Sequence, residues 1–164
     1  MRGKYKAINP FIKSFVLFAS TLLVSLLIFY AVGVNLDSTE VLEFQNKNIF
    51  FYIVTNNLKV FLVIILGLFL YRIPTYITLM YNAVILAFAL SALTHVLMFL
   101  SIIAHGIFEM LAFIIAGSVA FNKYEDVMSN KMKFIFISFV GILLILIAAV
   151  IETYISPIIL KGMM

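Results

Sequence analysis

Cysteine is absent from this chain, and only 11% of its 164 residues are charged. The first absence rules out disulfides, thiolate nucleophiles, Cys-ligated zinc and haem attachment, so redox chemistry by the protein alone is excluded. The second rules out a water-soluble globule, which is nearer a quarter charged. No Gly-rich loop ending in lysine is present, which excludes nucleotide hydrolysis by this chain. The net charge of +4 does not mark a nucleic-acid binder, because the basic residues are not gathered on one face.

What the chain has instead is apolar length: 65% of its residues are hydrophobic and its mean hydropathy is +1.22. A span needs about 20 residues to cross a hydrocarbon core of ~30 Å, and the apolar runs fit four or five spans with little left over. The expected fold is an all-α transmembrane helix bundle, a single integral membrane domain over 1–164, with spans near 15–34, 57–71, 75–93, 102–121 and 134–155. The first run is too long for the core of a signal peptide and no small-residue cleavage site follows it, so it reads as a retained helix. Pro74 lacks an amide donor and disfavours helix at the residue before it, which makes Arg72 to Thr75 a tight turn. The segment before Asn56 reads as a short interfacial helix. Between Ile73 and Phe108 there is no Asp, Glu, Lys or Arg. At 1.5 Å per residue that is roughly 54 Å of helix, more than one crossing and less than two. The fold-back is expected at Thr94 to Ser101, as a turn, interfacial piece or re-entrant segment, and Ser156-Pro157 is expected to close the fifth span.

Lysine and arginine set the expected orientation. Arg2, Lys4, Lys6, Lys13, Arg72, Lys123, Lys131 and Lys133 fall on one side, and Lys47, Lys59 and Lys161 on the other with Asp37, Glu40 and Glu43. The positive-inside rule then puts the N-terminus on the cytoplasmic side and, with five spans, the C-terminus outside.

Ionised groups within spans cost about 2.5 to 3.5 kcal/mol at the centre of a lipid-facing helix, so each is a functional candidate. Two carboxylates qualify. Glu109 lies four residues after His105, on one helical face with Ala112 and Ala116. Glu152 ends a similar stripe through Gly141, Ile145 and Ala148. Small residues allow helix backbones to approach, so the two stripes are expected to face one another or a common centre, with His105, Glu109 and Glu152 converging in the outer half. Asn56, Asn57, Lys59 and His95 are placed within reach of the same layer. The plainer reading is a hydrogen-bonded plug that fixes helix register, with Glu109 protonated or paired to His105 or Lys59. The sharper reading is an acid–base or metal site: His95, His105, Glu109 and Glu152 offer ligands that zinc accepts, though the spacing falls short of a metalloprotease signature. No resident cofactor is expected. Ser101, four residues before His105, lacks the acid and the elbow motif of a nucleophile and reads as packing. Asn82 reads as an amide bonded to a neighbouring helix backbone.

Three stretches carry a resemblance: Thr55-Asn56-Asn57-Leu58-Lys59-Val60 before the Gly67 span, Tyr81-Asn82, and the helix running from Ala104-His105-Gly106-Ile107-Phe108-Glu109 to Ala112, Ala116 and Gly117. Together they resemble the stage II sporulation protein M family over roughly residues 48–160, the His-Gly-x-x-Glu helix being the most specific part. The resemblance marks Asn56, Asn57, Asn82, His105, Gly106 and Glu109 and is silent on His95 and Glu152. This chain is shorter than the sporulation members and is similar to short members found beside circular bacteriocin genes. That implies a membrane component acting with an ABC-type exporter in maturation, secretion or immunity for a cationic hydrophobic peptide. The acidic loop of Asp37, Glu40 and Glu43 reads first as a solvated loop, its charges screened by salt, and second as a surface that would attract such a peptide. Two alternatives stand beside it: an intramembrane acid–base or metal-dependent enzyme that processes or cyclises a peptide, with His105 and Glu109 as the catalytic pair, and a scaffold for cell-wall-remodelling partners.

Overall fold

In the computed structural model, which describes residues 8–33, 49–93 and 96–161, every described apolar run is helical and no strand occurs among the described residues. Helix α1 (Pro10–Val32) begins with Pro10 at its first turn, where a missing N–H costs nothing, and the Asn9 side chain accepts the Phe11 N–H at 2.9 Å. It ends at Gly33, whose φ of 70° suits a residue without a Cβ. Then come α2 (Ile49–Leu66), α3 (Ile73–Ser91), α4 (Val96–Ala120), the short α5 (Tyr124–Ser129), α6 (Lys131–Val150), a π-helical turn (Ile151–Ile155) and α7 (Ser156–Lys161).

Five of these stretches are long and apolar enough to cross a membrane: α1, α2, α3, α4 and the continuous run Lys131–Leu160. Large apolar side chains such as Leu27, Ile77 and Phe139 stand outward on them, which suits a molecule solvated by lipid rather than water. The protein is therefore a multi-pass membrane protein. Helix α4 is the central element and packs on α1, α2, α3, α6 and α7. Around it Phe61, Ile64, Leu79, Phe113 and Ile145 form a buried core.

Several boundaries differ from the sequence expectation. Helix α1 starts at Pro10, and α3 starts at Ile73 with Pro74 in its first turn, where a proline is tolerated, so the turn expected at Arg72 to Thr75 falls instead at residues 67–72. Helix α2 starts at Ile49, so the expected interfacial piece and the span are one helix. Neither Pro nor Gly interrupts 49–66, and Asn56-Asn57 is tolerated inside it. Helix α4 starts at Val96, so residues 96–101 are its first turns rather than a turn or re-entrant segment; residues 94–95 lie outside the described residues. The last span continues past Ile155 through Pro157. Proline cannot donate to the carbonyl four residues back, and the helix absorbs this by widening just before it: the Ser156 N–H reaches Ile151 O, five residues away.

Between α2 and α3 the chain turns in six residues, with Tyr71 and Arg72 both at positive φ (51° and 65°). The turn is tied by the buried Thr75 hydroxyl, which donates to Ile64 O at 2.7 Å. Gly67 lies so close to Thr75 that a Cβ there would overlap its hydroxyl. The Phe69 and Tyr124 rings meet edge to face, placing this turn beside α5. The start of α1, the end of α4 and the start of α6 line one groove at that same end of the bundle. The opposite end carries the start of α4 and the π-helical turn.

Candidate functional site

At the π-helical end, α4 and the last span meet through two polar side chains, His105 and Ser156, and the Ser101 carbonyl. His105 Nδ1 lies 2.9 Å from the carbonyl oxygen of Ser101, one turn back on α4. A carbonyl only accepts, so Nδ1 carries the hydrogen and Nε2 is left as the free ring nitrogen. The Ser156 hydroxyl crosses from α7 and lies 3.4 Å from both Ser101 O and His105 Nδ1. Ser101 and Ser156 are buried, and His105 is half-buried between them. The imidazole thus leans toward the helix start, away from Glu109.

Glu109 and Glu152 are half-buried and lie within electrostatic range of one another, and Glu152 lies within range of His105. The structure brings His105, Glu109 and Glu152 to the same end of the bundle. The two stripes below them are interior: Ala112 and Ala116 on α4, and Ile145 and Ala148 on α6, are fully buried. At Gly141 a Cβ would meet the Phe61 ring at 2.5 Å and Ile115 at 3.5 Å, so α2 wedges its phenyl between these stripes. Glu152 sits in the π-helical turn with Thr153, whose hydroxyl is buried with no hydrogen-bond partner among the described residues.

The other candidates are placed as follows among the described residues. Asn56 and Lys59 are exposed on the far side of α2, whereas Asn57 is buried on the same face as Phe61 and Ile64. Lys59 is therefore not the partner of Glu109, because two residues of helix turn it about 200° from Asn57. Asn82 donates to Thr78 O at 2.8 Å, a bond within its own helix and not to a neighbour's backbone. His95 and the acidic residues Asp37, Glu40 and Glu43 lie outside the described residues. Among the described residues no group of three or more His, Asp or Glu is arranged to hold a metal ion.

Neither spacing nor motif singles out Ser156, and the carbonyl that anchors the imidazole is a backbone atom of Ser101 that any residue there would supply. The sequence signal for Ser156 is its neighbour: a proline inside an apolar run disturbs the helix before it and frees backbone groups there. A second polar feature, a groove of about 600 Å3 at the α5 end, has no counterpart among the sequence expectations. Asn9, Ser118, Asn122 and Lys133 line it together with Phe136 and Val140. Its Asn122 amide is already committed to Ser118 O at 2.6 Å.

A family model, Stage II sporulation protein M, matches residues 13–157. The uncharacterized protein MJ0793 of Methanocaldococcus jannaschii is 32% identical over 123 residues, covering 64% of this chain and 69% of the relative. No solved structure matches. The matched stretch includes every element of the polar cluster, from α4 to Pro157.

Proposed function

This chain belongs to the stage II sporulation protein M family, and on that premise we propose that it is a non-enzymatic component of a membrane assembly. In this reading it matures, exports or confers immunity to a cationic, hydrophobic peptide of the circular bacteriocin type, beside an ABC-type exporter. The observation that carries the reading is the pair Glu109 and Glu152, set within apolar spans in range of one another, with no lysine or arginine paired to either among the described residues. Two carboxylates so placed favour a cationic visitor that supplies the missing charge. With the N-terminus and the α5 end in the bacterial cytoplasm, the cluster stands near the outer leaflet, on the side where an exported peptide leaves. His105, its Nδ1 held by Ser101, positions the layer and leaves Nε2 toward the site.

The test uses a bacteriocin-producing host deleted for its own family member. The wild-type chain is expected to restore peptide secretion or resistance, and a Glu109→Gln, Glu152→Gln double variant is expected to accumulate normally without restoring either. Full restoration by the double variant sinks the reading. Stoichiometric transition metal in purified wild type, lost in His105→Ala, favours the acid–base or metal-dependent enzyme. Loss of accumulation in every variant favours a scaffold for cell-wall-remodelling partners, the reading closest to the family's name.

A further inference from the structure

Part of the outward face of α2 is polar, beside the exposed Phe51, Leu62, Val63 and Leu66 of the same helix, whereas the outward faces of the other spans are largely apolar. Tyr52, Thr55, Asn56 and Lys59 are all exposed and spaced at three, four and seven residues, so they form one seam along the helix. The opposite face of α2, through Asn57, Phe61 and Ile64, is already used by the bundle. Lys59 stands ten residues from Ile49 and seven from Leu66, which is about 15 Å from one end of the helix and about 10 Å from the other. Lys59 therefore lies inside a stretch long and apolar enough to cross a membrane.

Two lysines near the α5 end have aromatic partners within the chain. The Lys13 ammonium lies 4.7 Å from the Phe121 ring centroid and 5.7 Å from that of Tyr76, and Lys133 lies 5.8 Å from that of Phe134. Lys59 has neither a ring nor a carboxylate of this kind among the described residues. A mid-span cation with three hydrogen-bonding neighbours and no partner is incomplete in lipid.

We propose that this seam is an intramembrane docking face for a partner protein's transmembrane helix, one that presents a carboxylate level with Lys59. The face carries one cation, three neutral hydrogen-bonding side chains and no acid, which fixes the sign of the partner. A second copy of this chain does not fit, because two-fold packing through this face sets Lys59 against Lys59. The inference deepens the proposed function by naming the surface through which the chain joins its assembly, and it rests on that reading only for the identity of the assembly.

The experiment uses full-length protein in phosphatidylcholine vesicles. The natural absence of cysteine lets a single donor dye be placed at Ser129→Cys on α5. The probes are synthetic single-span leucine–alanine helices with an acceptor dye, carrying Glu, Gln or Lys at the middle. The Glu helix is expected to bind about tenfold more tightly than the Gln helix, and Lys59→Met is expected to abolish that preference. Lys59→Glu is expected to transfer the preference to the Lys helix. Equal binding of the Glu and Gln helices to wild type, or a preference that survives Lys59→Met, overturns the docking face. Both variants are checked for elution as the wild-type species, and the charge-swapped pair keeps the inference open to refutation if one of them misfolds. Secretion or resistance unaffected by Lys59→Met, where the same substitution abolishes the wild type's preference for the Glu helix, counts against the proposed assembly and leaves the docking face standing.

Discussion

The two ends of the bundle are held by different physics. At the α5 end the helices touch through missing side chains: Gly67 against Thr75, and Gly117 against Ser14 and Leu79, where a single Cβ has no room. At the π-helical end they touch through polar atoms, Ser101, His105 and Ser156, at distances up to 3.4 Å, around a stretch of helix already widened before Pro157. Close backbone approach is rigid, because it fails with the first added carbon. Long hydrogen bonds beside a π-helical turn can lengthen or exchange partners without disrupting the core. The contrast assigns structure to one end and adaptable chemistry to the other.

The largest expected effect tests the rigid end. Gly117→Val would drive two methyl groups into Ser14 and Leu79 between α1, α3 and α4, a cost of about 3 kcal/mol or more. Loss of monodisperse protein in detergent is the expected outcome. Gly106, inside the family's signature helix, has open space within 4 Å of where an added methyl would sit, so Gly106→Ala should leave thermal stability intact or raise it through helix propensity. Equal damage by the two substitutions would erase the difference between the ends.

Next in size is the polar lock at the same end. Thr75→Val keeps the shape of the side chain but leaves the Ile64 carbonyl without its 2.7 Å donor, which costs about 1 to 2 kcal/mol in a buried site. The expected result is a lower unfolding midpoint with an unchanged elution profile. An unchanged midpoint would mean that the turn is held by Gly67 and backbone bonds alone.

Much of this architecture is legible in the sequence, and the parts that are not share a cause. Five apolar stretches and the placing of His105, Glu109 and Glu152 at one end of the bundle follow from span length and a four-residue spacing, which lipid enforces strongly. Helix ends are less visible: residues 49–56 and 96–101 contain nothing that stops a helix, yet their polar neighbours suggest interfacial pieces. Facing is least visible of all. In water an apolar stripe points inward, but in lipid both sides of a helix are apolar, so hydropathy alone does not say that Asn57 is buried and Lys59 is exposed. The π-helical turn is hidden too, since Pro157 marks a disturbance and does not say whether the helix stops or widens.

The smallest effects belong to the π-helical end, and they probe its adaptability most directly. Ser156→Ala removes a hydroxyl that lies 3.4 Å from Ser101 O and from His105 Nδ1, long distances for hydrogen bonds, so a stability loss of about 0.5 kcal/mol is expected. His105→Ala removes the shorter 2.9 Å contact as well, yet the freed carbonyl is an ordinary helix carbonyl on α4, and a loss of about 1 kcal/mol is expected. In both variants the fold should persist, as judged by elution and thermal midpoint. What should change is order in the segment around Glu152, read by hydrogen exchange of the amides from Ile151 to Ser156. Faster exchange there, with the α5 end unchanged, is the signature of an end kept adjustable by weak polar contacts. Uniform acceleration across all five spans would instead make His105 and Ser156 part of the same rigid core as Gly117.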